Sequence, residues 1–277
     1  GLALCGVALA MRVGLAVADD RITLQLRWEP QFQFAGYYMA LERGYYAQAG
    51  LDVEIQPGVA PGPRYLSAVT EVEEGRATFG IGSVDVVLAR ANGAPLSIVS
   101  SIFQNSPVEI YTRSETRISN LSELMDLLFS AGFQRNGPAE IELRALLRSE
   151  GFSLTDVQVP HTTRSSFEAF LDGEIDVMPG FSLALPWMAA ERGVVLNAIK
   201  PAEFGIHFYG DSLFAREDVI REDPELVSRF VKASMEGWEY ALSHPEETIA
   251  VILDRYSRVN GIEDDQLFNR WQYRIVE

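Results

Sequence analysis

Hydrophobic positions along the chain switch repeatedly between a period of two and a helical period. Ile22-Thr23-Leu24-Gln25-Leu26 alternates as a half-buried strand does, and residues 36–48 read as a helix with Gly50 as its stop. Residues 51–55 form a second expected strand. Pro61-Gly62-Pro63 is expected to open a helix running to about Glu74, and residues 78–81 a short strand. Ser83 is placed to cap a helix over residues 84–91, before a further strand over 96–102. The second half repeats the theme. A helix is expected over 119–126, residues 127–131 fit helix or strand, and Pro138 starts a helix to Glu150-Gly151 with Ile141, Ala145 and Leu146 on its inner face. Short strands follow over 156–159, 175–178 and 194–196. Residues 224–277 are helical in pattern, broken at Ser243-His244-Pro245.

Strands alternating with helices predict an α/β fold with mainly parallel sheets. Two such units and a helical tail predict two lobes joined by crossing segments, near residues 103–112 and 200–215. The expected first lobe takes residues 19–105 and 206–277, and the second takes 106–205. A cleft between them, at the C-terminal ends of strands, is where α/β sheets bind ligands.

Composition narrows the function classes. In the 277 residues, 39 acidic residues against 23 basic ones leave a formal charge of −16. That charge repels nucleic acid and anionic membrane surfaces, so neither is the expected partner. Residues 1–18 are apolar or small except for Arg12, and end Ala16-Val17-Ala18 before Asp19-Asp20. They read as part of a secretory signal peptide, with a buried helix as the alternative. Cys5, the only cysteine, lies inside that stretch, so the exported chain is expected to lack disulfides, thiolate metal sites and cysteine nucleophiles. At the other end, Leu267, Trp271 and Ile275 form an apolar stripe behind a cap at Asp264. No stop signal follows, and the natural polypeptide is expected to continue.

The densest chemistry lies just after the first strand, in Trp28-Glu29-Pro30-Gln31-Phe32-Gln33-Phe34-Ala35-Gly36-Tyr37-Tyr38. Five aromatics can stack on a planar ligand, and Gln31 and Gln33 offer donors and acceptors. At least half of these aromatics are expected in the core. Trp28 is the first ligand candidate, with Gln31, Gln33, Phe34 and Tyr37 beside it. The turn Gly80-Ile81-Gly82-Ser83-Val84-Asp85 can hold a polar group at a helix N-terminus, or Ser83 can serve as a plain cap. Gln104 sits at one crossing, and Tyr209 and Asp211 at the other, either facing the cleft or bracing a hinge. His161, His207 and His244 lack metal-ligand spacing. There is no Gly-x-Ser-x-Gly turn and no phosphate loop, so no cofactor or catalytic residue is assigned.

The stretch Leu26-Arg27-Trp28-Glu29-Pro30-Gln31-Phe32-Gln33-Phe34-Ala35-Gly36-Tyr37-Tyr38 resembles the opening of the thiamine-pyrimidine-precursor and sulfonate-binding family of type II periplasmic binding proteins. Glu42-Arg43-Gly44-Tyr45-Tyr46, Gly50-Leu51-Asp52-Val53, Phe79-Gly80-Ile81-Gly82-Ser83, Gly93-Ala94-Pro95, Phe103-Gln104-Asn105-Ser106-Pro107, Asp172-Gly173-Glu174-Ile175-Asp176-Val177 and Phe208-Tyr209-Gly210-Asp211 continue the likeness in order, over residues 22–256. The resemblance implies a two-lobed, monomeric, periplasmic protein. It captures a small organic ligand for a membrane ABC permease or, in sensor relatives, for a fused membrane signalling region of a histidine kinase or diguanylate cyclase. Enzymatic relatives that make the thiamine pyrimidine use a first-loop histidine and a cysteine-rich run. Phe34 stands at that histidine's place here, which argues against synthesis. Many relatives carry Asn-Glu-Pro where this chain has Ala184-Leu185-Pro186, so a carboxylate that pairs with an aminopyrimidine is missing there.

Overall fold

The computed structural model describes residues 20–60, 64–130, 135–160, 165–256 and 265–277. The expected signal segment, Pro61-Gly62-Pro63, His161 and the Asp264 cap lie outside them. The strands are β1 (Asp20–Gln25), β2 (Leu51–Gln56), β3 (Val59–Ala60), β4 (Arg64–Tyr65), β5 (Phe79–Gly82), β6 (Leu96–Ser101), β7 (Val108–Arg113), β8 (Val177–Phe181), β9 (Leu196–Ile199) and β10 (Ser212–Arg216). The helices are α1 (Ala35–Glu42), α2 (Tyr45–Gln48), α3 (Ala68–Glu73), α4 (Val84–Ala91), α5 (Pro138–Ser149), α6 (Ser166–Leu171), α7 (Leu185–Glu191), α8 (Glu217–Glu222), α9 (Pro224–Ser243), α10 (Pro245–Arg255) and α11 (Asp265–Val276).

Two sheets define two α/β lobes. The first has the order β2-β1-β5-β10-β6, in which β1 runs parallel to β2 and β5 while β10 is antiparallel to both its neighbours. The second has the order β8-β7-β9, with β7 antiparallel to both neighbours and parallel bridges added from Leu128 to Gln158 and from Phe129 to Val177. Both sheets are therefore mixed and not mainly parallel as expected, because β7 and β10, the strands reached by the crossings, run against their neighbours. The chain crosses between lobes twice, after β6 and before β10. The crossings hold each other: Gly210 N donates to Phe103 O at 2.9 Å, Ser106 N to Phe208 O at 2.9 Å, and Ile102 N to Asp211 O at 2.9 Å.

Local chemistry moves several expected boundaries. The helix expected over 36–48 is a 3-10 turn (Phe32–Phe34) followed by α1 and α2, split where Gly44 takes φ of 73°. Only glycine enters that left-handed region without strain. Residue Ser67, not the Pro-Gly-Pro run, starts α3, by accepting a hydrogen bond from Thr70 N. Residues 121–126 form a 3-10 helix. On α5 the buried face carries Glu142, Leu143, Leu146 and Leu147; Ile141 and Ala145 are only partly buried. On α11 the expected stripe divides, with Leu267 and Ile275 exposed and Trp271 half-buried, while Asp265, Phe268, Asn269 and Gln272 are buried.

The first lobe's core lies between the sheet and α1, α9 and α10, with Phe79 stacked on Phe230 at 4.2 Å and Tyr46 on Phe230 at 5.1 Å. The second lobe's core gathers Ile110, Leu143, Leu146 and Val177 behind β7. Among the described residues, no helix is long and apolar enough to cross a membrane.

Candidate functional site

Three strand ends meet at one edge of the first sheet. The parallel strands β1 and β5 finish there, and the antiparallel β10 begins there. Each brings polar residues: Arg27 follows β1, Ser83 and Asp85 follow β5, and Asp211 precedes β10. Arg27 Nη1 donates to Asp211 Oδ1 at 3.1 Å and to Ser83 Oγ at 3.2 Å, and Nη2 reaches Asp85 Oδ2 at 3.5 Å. Asp211 also accepts from Gln33 Nε2 at 2.7 Å, and Gln31 Nε2 donates to Gln33 Oε1 at 2.5 Å. The chain of bonds therefore runs from β5 through the guanidinium to the aromatic loop.

Burial sets the electrostatics. Removal from water pulls the Arg27 pKa down, but the Asp85 and Asp211 carboxylates outweigh it and the net shift is upward. Asp211 is raised by burial despite the opposing pull of Arg27 and Gln33. The second lobe answers across the cleft. The Phe181 ring lies under the guanidinium at 5.4 Å. Glu142 on α5 is buried, accepts from Ser106 Oγ at 2.6 Å, and feels the charge of Arg27. Burial pushes the Glu142 carboxyl up to about 7, against the Ser106 hydrogen bond and Arg27.

Gln31 Oε1 is sealed from solvent with no hydrogen-bond partner in the protein, while the Tyr37 hydroxyl and the Trp238 indole N–H, also sealed, act on each other. The Tyr37 and Trp238 rings meet edge to face at 5.9 Å, and Asp211 acts electrostatically on the Tyr37 hydroxyl. A buried polar atom left unpaired costs about 1–3 kcal/mol, so Gln31 Oε1, at the end of the network, has the chemistry to meet another molecule.

The sequence candidates divide into three sets. Gln31, Gln33, Ser83 and Asp211 are buried in or beside the network, with the Tyr37 ring below it. Trp28 stands at the rim, 37% exposed, stacked on Tyr65 of β4 at 4.5 Å and 12°. Phe34 is fully buried in the first lobe's core, Gln104 is exposed and donates to Ser101 O at 2.9 Å, and Tyr209 is 57% exposed. Ser83 does not cap α4 with its side chain; Asp85 Oδ1 takes the Ser83 amide at 2.6 Å, leaving the hydroxyl to Arg27.

Arg27, Glu142, Tyr65 and Trp238 were not singled out from the sequence. Arg27 carried a signal: a cation directly after a buried strand needs partners. Glu142 carried one too, as a carboxylate among Ile141, Leu143 and Leu146. Two surface grooves of about 400 and 390 Å³ lie elsewhere, on the second lobe around Gly193–Val195, and neither touches this network. Among the described residues no group of three or more His, Cys, Asp or Glu is disposed to hold a metal.

A family model described as NMT1/THI5 like matches residues 31–248. The chain belongs to the NMT1/THI5-like family. It is 27% identical to a riboflavin-binding protein, RibY, of Chloroflexus aurantiacus, over 84% of this chain and 66% of that protein. It is 24% identical to a formylaminopyrimidine-binding protein of Halalkalibacterium halodurans, over 88% and 73%. A pyrimidine phosphate synthase of Saccharomyces cerevisiae is 23% identical over 88% and 74%. The alkanesulfonate-binding protein SsuA of Xanthomonas axonopodis shares the fold, with a TM-score of 0.67 at 14% identity, over 94% of this chain and 85% of that one. The expected two-lobed periplasmic-binding-protein fold thus stands beside NMT1/THI5-like membership.

Proposed function

We propose that this NMT1/THI5-like chain is a periplasmic solute-binding domain. Its lobes, taken as residues 19–105 with 206–277 and residues 106–205, hold between them a small, neutral, planar nitrogen heterocycle for import by an ABC permease. One observation carries the reading: the interlobe network ends in a buried amide oxygen without a partner, Gln31 Oε1, with the Tyr37 hydroxyl near the same network. Gln31 Oε1 accepts, and the Tyr37 hydroxyl, which takes the Trp238 indole N–H, can still donate, which suits the alternating edge of an aminopyrimidine or an isoalloxazine. Trp28 and Tyr65 supply a flat, half-exposed aromatic wall at the rim.

The same geometry argues against an anion. Arg27, the cation of the network, already faces Asp85 and Asp211, with Glu142 opposite. A sulfonate would enter a site whose positive charge is spent. Synthesis is also disfavoured, because Phe34 is a fully buried core side chain that cannot donate nitrogen.

The test is to purify the chain, identify any copurified small molecule by mass spectrometry, and titrate riboflavin, a 4-aminopyrimidine and MOPS by calorimetry. The expected result is binding of one of the two heterocycles and none of MOPS. Binding of MOPS alone would refute the proposal.

A further inference from the structure

The terminal helix α11 lies beyond residues 31–248, the stretch matched by the family model. It touches both lobes. Towards the first lobe, Asn269 Oδ1 accepts from Phe32 N at 2.7 Å and Gln272 Oε1 accepts from Gln33 N at 3.2 Å. These are the opening amides of the 3-10 turn, which have no partner inside their own helix. Tyr273 adds an edge-to-face contact with Phe32 at 5.5 Å, and Arg270 pairs with Glu246 of α10.

Towards the second lobe, the same Gln272 side chain donates from Nε2 to Leu183 O at 2.9 Å, just past β8. Trp187 of α7 lies 6.0 Å from Phe268 and 5.8 Å from Trp271. Gln272 is fully buried, with its amide divided between the two lobes: the oxygen serves the ligand loop and the nitrogen serves the segment after Phe181. Separating the lobes along the cleft must break that bond or pull α11 off the loop.

We propose that α11 is a strap that holds the cleft closed in the unliganded protein, with Gln272 as the positioning residue that ties the ligand loop to the second lobe. Its relevance to binding rests on the reading of the cleft given above; the closure itself does not. The polar inward face of α11 follows from this role. Asn269 and Gln272 face inward because they satisfy backbone amides, and Leu267 and Ile275 are displaced to the outside.

The experiment needs no ligand. In the full chain carrying Cys5→Ser, spin labels at Glu73→Cys and Arg148→Cys, exposed positions on α3 and α5, report the distance between lobes by pulsed electron resonance. The unliganded parent is expected to give one short, narrow distance. Gln272→Met keeps the length of the side chain and removes both hydrogen bonds; it is expected to raise the open population about five-fold, the worth of roughly one net hydrogen bond. Trp271→Ala removes only the apolar half of the strap and is expected to shift the same population. A long distance in the unliganded parent overturns the proposal. So does an unchanged distribution in both variants with melting temperatures kept. If Gln272→Met proves poorly folded, the Trp271→Ala distribution decides alone. Loss of heterocycle binding with the distances as expected would refute the ligand reading and leave the strap standing.

Discussion

Raising the pH through neutrality should destabilise this protein through one side chain, Glu142. Its carboxyl is buried on α5 and raised from 4.5 to about 7, first by loss of water, with Ser106 and Arg27 opposing. Below about pH 4.5 the group is protonated both folded and unfolded, so it adds no pH dependence. Between about 4.5 and 7 the unfolded chain releases the proton while the folded chain keeps it, and stability falls as pH rises. Above about 7 both states are ionised and the loss is complete. At about 1.4 kcal/mol per unit, the full loss is on the order of 3 kcal/mol. Glu142→Gln keeps an acceptor for the Ser106 hydroxyl and cannot ionise, so it isolates the effect from the background of a chain with charge −16. Urea unfolding at pH steps from 4 to 8 should show the two proteins converging at the acid end. At the alkaline end the variant should be more stable by that order. Parallel profiles across the window would refute the argument. So would a variant that is less stable at pH 8, which would mean that Arg27 holds the carboxylate ionised.

Trp28→Ala should weaken heterocycle binding by about 0.5–1.5 kcal/mol beyond the lost contact area, with little change in melting temperature because the ring is partly exposed. Equal affinity by calorimetry would remove Trp28 from the site. Gly237→Ala should destabilise by about 3 kcal/mol or more, since a Cβ there overlaps the Gly36 carbonyl and the Ala40 amide where α9 crosses α1. Thermal unfolding checks it, and an unchanged midpoint would show that the helices can separate at no cost.

The fold was legible because its elements obey simple periodicities. β1 alternates from Arg21 to Leu24 before Gln25 is also buried, and residues 245–255 begin at the Pro expected to break the tail. The aromatic loop was legible as chemistry, although four of its five rings (Phe32, Phe34, Tyr37 and Tyr38) belong to the core and only Trp28 reaches the rim. What was hidden has one physical cause. A side chain that pairs with a distant backbone group or charge leaves no periodic trace. The α11 stripe gave no sign of the polar buried face beside it, because Asn269 and Gln272 are buried by hydrogen bonds to Phe32 and Gln33, more than 230 positions away. Glu142 broke an apolar face for the same reason, and Arg27 was passed over beside the more conspicuous Trp28. Gly44, by contrast, could have been read: a glycine between two apolar helical runs is a break before it is a spacer.

The fold and the cleft also part company in an informative way. A neighbour that shares the two-lobed fold at 14% identity is an alkanesulfonate-binding protein, so the scaffold by itself leaves the charge of the ligand open. In this chain the choice is made at the strand ends. A guanidinium placed after β1 could receive an anion, but β5 and β10 each deliver a carboxylate to it first. Because both carboxylates and the guanidinium are withdrawn from water, removing either partner would expose an uncompensated charge, and the group is held as a unit. Its effect is then geometric: it fixes Gln33, Gln33 fixes Gln31, and the Gln31 amide oxygen is left without a partner in the protein. The surface agrees, because a chain of charge −16 slows the approach of anions and does not oppose a neutral ring. On the proposed reading, charge in this cleft acts as a brace for hydrogen-bonding groups, and selectivity falls to uncharged donors, acceptors and aromatic faces.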